Sequence, residues 1–144
     1  MSRIIVIDAS IAVQLVLTEP ATDAVDAAVL RNADVDSLIA PSILVSETAA
    51  AITKKCRRKE ITPVSAREAF QVWQEMLADG LFELVPANDL IDEAFALSLR
   101  LHHSLHDCLY IALAQSRAAA IATRDIALAG KTKALGLETE LIGA

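Results

Sequence analysis

The chain has 144 residues, 54% of them hydrophobic, and its 13 basic and 19 acidic side chains give a formal net charge of −6. This length is typical of one domain, here residues 1–144, which buries roughly two-thirds of its unfolded surface and needs no disulfide staples. The negative charge argues against a protein that coats nucleic acid nonspecifically, but it allows a local basic patch and an acidic pocket that binds cations.

Strands and helices are predicted to alternate along the chain. The first strand is expected at Ile4, Ile5, Val6 and Ile7, four consecutive β-branched residues that are typical of a strand buried on both faces. Further strands are expected at residues 37–40, 81–85, 119–123 and 138–142. Helices are expected at residues 11–17, 20–31, 42–60, 63–80, 88–101, 106–117 and 124–135, with Thr62 and Asn88 as N-caps and Gly80 as a helix end.

This alternation predicts the fold class. It favours an α/β protein, a three-layer α/β/α sandwich around a mostly parallel central sheet of four to five strands. In such sheets, ligands bind beyond the carboxyl ends of the strands.

The cysteines and the chain start predict the compartment. Cys56 and Cys108 are far apart and have no His/Cys cluster around them, which favours reduced thiols over a disulfide framework or a zinc site. The first strand follows Arg3 directly, which leaves no room for a signal peptide, and no apolar run is long enough to span a membrane. We therefore expect a cytoplasmic protein with no membrane partner.

Asp8 ends the first strand and needs an explanation. An ionised carboxylate at the lip of an apolar sheet costs free energy unless a positive or hydrogen-bonding group receives it. Asp8 is either the N-cap of the next helix or part of a functional site, and the strand alone does not separate these interpretations.

Three other acids are predicted at the same edge of the sheet. Glu47 lies in the opening turns of the helix after the second strand, Asp125 follows the fourth strand, and Asp107 opens the helix that runs back against it. Carboxylates packed together repel one another, so a cluster of four needs neutralisation. Mg²⁺ or Mn²⁺ is the economical answer, since these hard cations prefer carboxylate oxygens.

Each acid also has a structural interpretation. Ser104 followed by Asp107 fits a capping box, and Asp125 fits a first-turn acid that stabilises the helix dipole. Glu47 is the hardest to explain structurally, because it interrupts an apolar, alanine-rich helix.

Four short motifs, in this order and spacing, resemble the signatures of the PIN-domain family, and most of all those of VapC-type toxins of toxin–antitoxin pairs. They are Val6-Ile7-Asp8-Ala9-Ser10, Ser46-Glu47-Thr48, His106-Asp107-Cys108-Leu109-Tyr110-Ile111-Ala112-Leu113-Ala114 and Ala122-Thr123-Arg124-Asp125. The resemblance covers essentially the whole chain. His106 and Cys108 depart from it, because the family often has Tyr and Ala there.

The resemblance implies a metal-dependent endoribonuclease. Asp8, Asp107 and Asp125 would hold a first Mg²⁺ or Mn²⁺, and Glu47 would assist that ion or a second one. Ser10 and Thr123 match small hydroxyl positions of the family that order water. A divalent ion lowers the pKa of a bound water, which then attacks a phosphodiester in line.

RNA also needs basic residues at the rim of an acidic pocket. Arg124 is the first candidate, and Lys131 and Lys133 are expected to flank the groove. The basic run from Lys54 to Lys59 is a further candidate, but positive charges there also suit a helix C-terminus. The three histidines, His102, His103 and His106, are expected to be loop or packing residues.

The resemblance further implies a cognate VapB-type antitoxin, a homodimer and a toxin–antitoxin hetero-oligomer. Two rival functions are considered. One is a PIN-like binding module that acts through RNA or antitoxin contacts without cutting. The other is a phosphotransfer domain of receiver type, which is weaker because Asp8 has no adjacent acid and no Lys ends a late strand.

Overall fold

The computed structural model describes residues 3–17 and 37–143. Within them lie five strands: β1 (Ile4–Ile7), β2 (Ser37–Pro41), β3 (Glu83–Val85), β4 (Ala120–Thr123) and β5 (Thr139–Leu141). They also hold six α-helices: α1 (Ala9–Val16), α2 (Leu44–Arg57), α3 (Pro63–Ala78), α4 (Ile91–Leu101), α5 (Leu105–Arg117) and α6 (Ile126–Ala134). The predicted helix at residues 20–31 lies outside the described residues.

The five strands form one parallel sheet in the order β3-β2-β1-β4-β5. Strand β1 is central, pairing Val6 with Ile39 of β2 on one side and with Ile121 of β4 on the other. Its residues Ile5, Val6 and Ile7 are fully buried, as the apolar run predicts. The predicted α/β class and parallel sheet are thereby confirmed.

The helices cover the sheet in two groups. Helices α1, α2 and α3 contact one another, whereas α4 packs on α5, which lies against β1, β2 and β4. The connections from β1 to β3 and from β3 to β5 run in opposite directions across the sheet. Because such connections are right-handed, they place the two groups on opposite faces. This is the predicted three-layer arrangement.

Helix α5 is the most buried helix of the described chain. Seven consecutive residues, from Cys108 to Ala114, are buried, as expected from a helix that is apolar on nearly all sides. Its N-cap is Ser104, whose hydroxyl accepts a hydrogen bond from the backbone N–H of Asp107, so the helix begins at Leu105 rather than at His106.

One predicted cap is wrong. Asn88 lies inside a short 3₁₀ turn, Ala87–Asp89, and α4 begins only at Ile91 with Leu90 as its N-cap, without a side-chain hydrogen bond. Leu90 is buried in the core, so packing of this leucine sets the helix start instead of local capping. By contrast, Thr62 caps α3 as predicted, and Gly80 follows that helix with a positive φ of 73°.

Within residues 3–17 and 37–143, no helix is both long enough and apolar enough to cross a membrane.

Trp73 joins α3 to the helix that carries Glu47. It is fully buried, its indole N–H donates to the Val45 carbonyl at 3.2 Å, and its ring lies 5.8 Å from that of Phe82. Trp73→Ala should lower the free energy of unfolding by about 3–5 kcal/mol, because it opens a cavity and removes the indole hydrogen bond to that carbonyl. Urea unfolding measures this effect.

Val64→Ala, on the same helix at a residue that is 61% exposed, is the matched control and should change stability by less than about 0.5 kcal/mol. Equal effects of the two substitutions would contradict the burial of Trp73.

Candidate active site

A cleft of about 370 Å³ opens at the carboxyl ends of β1 and β4. All four acids singled out in the sequence line it. The lining residues are Asp8, Ala9, Ser10, Glu47, Ala50, Ala51, Lys54, Arg57, Asp107, Tyr110 and Asp125. Parallel strands bring these distant segments together because their carboxyl ends meet at one edge of the sheet.

Asp8 is the most buried acid of the cleft, with 7% of its surface exposed. Its Oδ1 accepts hydrogen bonds from the Ile11 N–H at 3.2 Å and from the Ser10 hydroxyl at 2.6 Å, and its Oδ2 accepts one from the Thr123 hydroxyl. Burial raises the pKa of Asp8 to about 6, against the lowering effect of these hydrogen bonds. Among the residues that the structure describes, only neutral donors hold this carboxylate, and it caps α1 while it lines the cleft.

Ser10 and Thr123 link the start of α1 to the end of β4 beside Asp8. The Ser10 hydroxyl also accepts the backbone N–H of Arg124 at 2.9 Å, and the Thr123 hydroxyl accepts that of Asp125 at 3.0 Å. Asp125 in turn caps α6, since its Oδ1 accepts the Leu128 N–H at 3.1 Å. Asp125 thus precedes the helix instead of lying in its first turn.

Glu47 is held by a tyrosine that the sequence interpretation did not select. The Tyr110 hydroxyl donates to Oε1 of Glu47 at 2.7 Å, and His106 Nδ1 lies 3.7 Å from Oε2. Burial, together with the nearby Glu47 charge, raises the pKa of Tyr110 far above its usual range, so it stays a neutral donor. Its position three residues after Asp107, on the same face of α5, was the available signal.

Asp107 is held by a histidine expected to be only a loop or packing residue. His103 Nε2 lies 2.7 Å from Oδ2 of Asp107. The Ser104 hydroxyl accepts the backbone N–H of Asp107 at 3.3 Å, but the Asp107 carboxylate bonds to His103 rather than returning to the cap residue. Only the first half of the predicted capping box is therefore present.

The donor chemistry of the cleft fits a hard divalent cation. In Glu47, Asp107 and Asp125, one carboxylate oxygen has a hydrogen-bond partner. The other oxygen has none within 3.5 Å among the described residues. In the described part of the chain, however, no three His, Cys, Asp or Glu side chains lie close enough together to hold an ion. Side-chain rotation would have to bring the acids onto one ion.

The basic residues that line the cleft are not the ones that the sequence favours as RNA contacts. Lys54 and Arg57 line the cleft, whereas Arg124, Lys131 and Lys133 do not. The Arg124 guanidinium donates to the Gly143 carbonyl at 3.3 Å, and Lys131 Nζ donates to the Leu101 carbonyl at 2.7 Å. Lys133 is exposed in the last turn of α6.

The raised pKa of Asp8 predicts an unusual pH dependence of stability. Its carboxyl binds a proton more tightly in the folded state, with a pKa of about 6, than in the unfolded chain, with an ordinary value of 3.8. The stabilisation of the folded state by this carboxyl is thus fully present below about pH 4. It is lost as the pH rises through 6, which lowers the free energy of unfolding by up to about 3 kcal/mol. In EDTA, Asp8→Asn should gain stability relative to the wild type as the pH rises over this range.

Urea unfolding of both proteins at several pH values measures this difference. Asp92→Asn, an exposed acid of α4, is the control and should follow the wild type. A difference between Asp8→Asn and the wild type that does not vary with pH would contradict the shifted pKa.

Solved structures with this fold include three proteins of low sequence identity. PAE2754 from Pyrobaculum aerophilum has a TM-score of 0.67 at 17% identity, covering 95% of this chain and 83% of that chain. VapBC2 from Rickettsia felis, bound to a DNA fragment from its promoter, has a TM-score of 0.61 at 17% identity, covering 95% and 97%. VapC20 from Mycobacterium tuberculosis, a toxin that cleaves the sarcin–ricin loop, has a TM-score of 0.68 at 14% identity, covering 92% and 95%.

The comparison with curated protein sequences found no match. The PIN domain, as a family, matches residues 5–133, a span that includes all four acids of the cleft and both hydroxyl residues that hold Asp8. The fold, the edge at which the acids meet and the extent of this match agree, and the chain belongs to the PIN-domain family.

Proposed function

We propose that this protein is a metal-dependent endoribonuclease that acts as the toxin of a toxin–antitoxin pair. PIN domains are generally nucleases. The observation that carries the proposal is the cleft into which four separate segments bring Asp8, Glu47, Asp107 and Asp125. Such a cluster of acids, with neutral donors around its most buried member, is suited to a divalent cation.

Asp8, Asp107 and Asp125 are the proposed ligands of a first Mg²⁺ or Mn²⁺, and Glu47 assists that ion or a second one. When bound, such an ion supplies an activated water for attack on an RNA phosphodiester and offsets the charge that develops there. The chain itself orients the acids. Ser10 and Thr123 hold Asp8, and Tyr110 holds Glu47.

The toxin role, the antitoxin and the compartment belong to the same proposal. Similarity of fold to VapBC2 and VapC20 supports a cytoplasmic toxin, formed by residues 1–144 as one PIN domain. Its proposed partners are RNA, a VapB-type antitoxin and a second copy of the chain. Arg124, Lys131 and Lys133 remain candidate RNA contacts outside the cleft.

One observation favours a second candidate function. In the described residues, no three His, Cys, Asp or Glu side chains are close enough together to hold an ion. This spacing is also expected of a PIN-like module that binds RNA or antitoxin without cutting. Metal binding and RNA cleavage separate the two functions, and each has its own experiment.

The first experiment measures metal binding. Mn²⁺ at about 100 times its Kd should stabilise the folded protein by about 2.7 kcal/mol, because the unfolded chain does not assemble the acids. Thermal unfolding with increasing Mn²⁺ should therefore show a rising Tm. Asp107→Asn should abolish most of this rise, and Asp92→Asn should keep it. A Tm that does not respond to Mn²⁺ or Mg²⁺ would favour the non-cleaving module.

The second experiment measures cleavage of total RNA by purified, antitoxin-free protein with Mg²⁺ or Mn²⁺, and with EDTA. Discrete cuts are expected only with the metal. Asp8→Asn and Asp107→Asn should each reduce the rate by about 100-fold or more, since each removes a proposed ligand of the ion that would activate the water. Asp92→Asn is again the matched control. Folded, metal-loaded protein that leaves every RNA intact would refute the nuclease proposal.

A further inference from the structure

One face of α2 runs along the cleft from its acidic to its basic end. Glu47, Ala50, Ala51, Lys54 and Arg57 all line the cleft, and their spacing of three or four residues, or one within the alanine pair, places them in one stripe. At a rise of 1.5 Å per residue, Lys54 lies about 10 Å and Arg57 about 15 Å along the helix from Glu47. The acidic and the basic side chains on this face of α2 are therefore farther apart than the size of one phosphate group.

Lys54 and Arg57 are available to bind an anion. Both are exposed, and neither has an ion pair or a side-chain hydrogen bond within residues 3–17 and 37–143. Some other basic residues have partners, since Arg117 pairs with Glu83 at 3.0 Å and Lys131 binds the Leu101 carbonyl. The two cations of the cleft are thus unsatisfied in the described structure.

The helix dipole does not explain this placement fully. Cations in the last turn of a helix are favourable wherever they point, and Lys55 also lies in this turn of α2 without lining the cleft. Lys54 and Arg57, by contrast, face the same opening as four carboxylates. Between the two charged ends lie Ala50 and Ala51, whose methyl side chains leave the floor of the cleft open.

We propose that Lys54 and Arg57 form a phosphate-binding subsite for the nucleotides next to the cleaved bond of a single RNA strand. This inference rests on the proposed nuclease function. The strand lies along α2, with the reacting phosphate at the acids and the neighbouring phosphates on the two cations. The acidic end repels phosphate when it holds no metal, so the basic end determines on which side of the reacting phosphate the neighbouring phosphates are bound.

The test compares two basic surfaces with the same RNA. Binding of a fluorescein-labelled, single-stranded oligoribonucleotide is measured by anisotropy with Mg²⁺, over a range of salt concentrations. Every protein in this assay carries Asp107→Asn, which stops cleavage and weakens the metal site equally in each, so the comparison isolates the basic end of the cleft. Lys54→Gln and Arg57→Gln should each weaken binding by about 3- to 10-fold and reduce the slope of log K against log salt by about 0.7. Arg100→Gln, an exposed cation in the last turn of α4 that does not line the cleft, is the matched control and should change neither quantity.

Cleavage kinetics without the Asp107 substitution provide the second readout. The double variant Lys54→Gln/Arg57→Gln should raise KM and leave kcat within about 2-fold, because the subsite binds ground state and transition state alike. The single variant Lys54→Arg should keep the wild-type KM, since it keeps the positive charge. Thermal unfolding confirms that the variants are folded.

The outcomes distinguish the two proposals. RNA that is cut by the wild type, with unchanged binding, salt slope and KM in the double variant, would overturn the subsite and leave the nuclease intact. Loss of binding only in Arg100→Gln would do the same. A wild type that neither binds nor cuts RNA would refute both.

Discussion

The buried carboxylate of Asp8 is the constraint on which the site depends. It ends the central strand, where desolvation raises its pKa to about 6, and no ion pair neutralises it within residues 3–17 and 37–143. Burying such a group costs free energy unless hydrogen bonds receive it. Ser10, Thr123 and the Ile11 N–H meet this requirement, and in doing so they tie α1 to β4. The same contacts that make Asp8 tolerable also build one wall of the cleft.

The other acids of the cleft are each held by a separate donor. Tyr110 holds Glu47, His103 holds Asp107, and the backbone of α6 holds Asp125. These donors come from α5, the loop before it and α6, and in the described residues the acids share an opening without meeting at a point. A hydrogen-bonded carboxylate has a defined orientation, and outer partners of this kind commonly orient the ligands of metal sites. Under the proposed function, the arrangement is that of a site partly organised before an ion binds.

Charge is distributed unevenly along this cleft, in a protein whose net charge is −6. Acids occupy the edge of the sheet, and Lys54 and Arg57 lie farther along α2, beyond two alanines. Since an anionic polymer is repelled by the first group and attracted by the second, the separation gives the cleft a polarity that the net charge conceals. An acidic protein can therefore offer a local surface for a phosphate backbone.

Much of the fold follows from local sequence patterns, because these act over a few residues. The β-branched run at residues 4–7 specifies a buried central strand, and Asp8 and Thr62 cap helices by bonding to backbone three residues away. The convergence of the four acids on one cleft also follows from the sequence, since parallel strands share a carboxyl edge.

The start of α4 does not follow from local sequence patterns, because burial of Leu90 overrides the capping preference of Asn88. Neither does the pairing of Tyr110 with Glu47, 63 residues apart, nor the choice of Lys54 over Lys131 as a cleft residue. Such side-chain partners depend on how whole helices pack against the sheet, and that packing is decided by long-range contacts which no local pattern encodes.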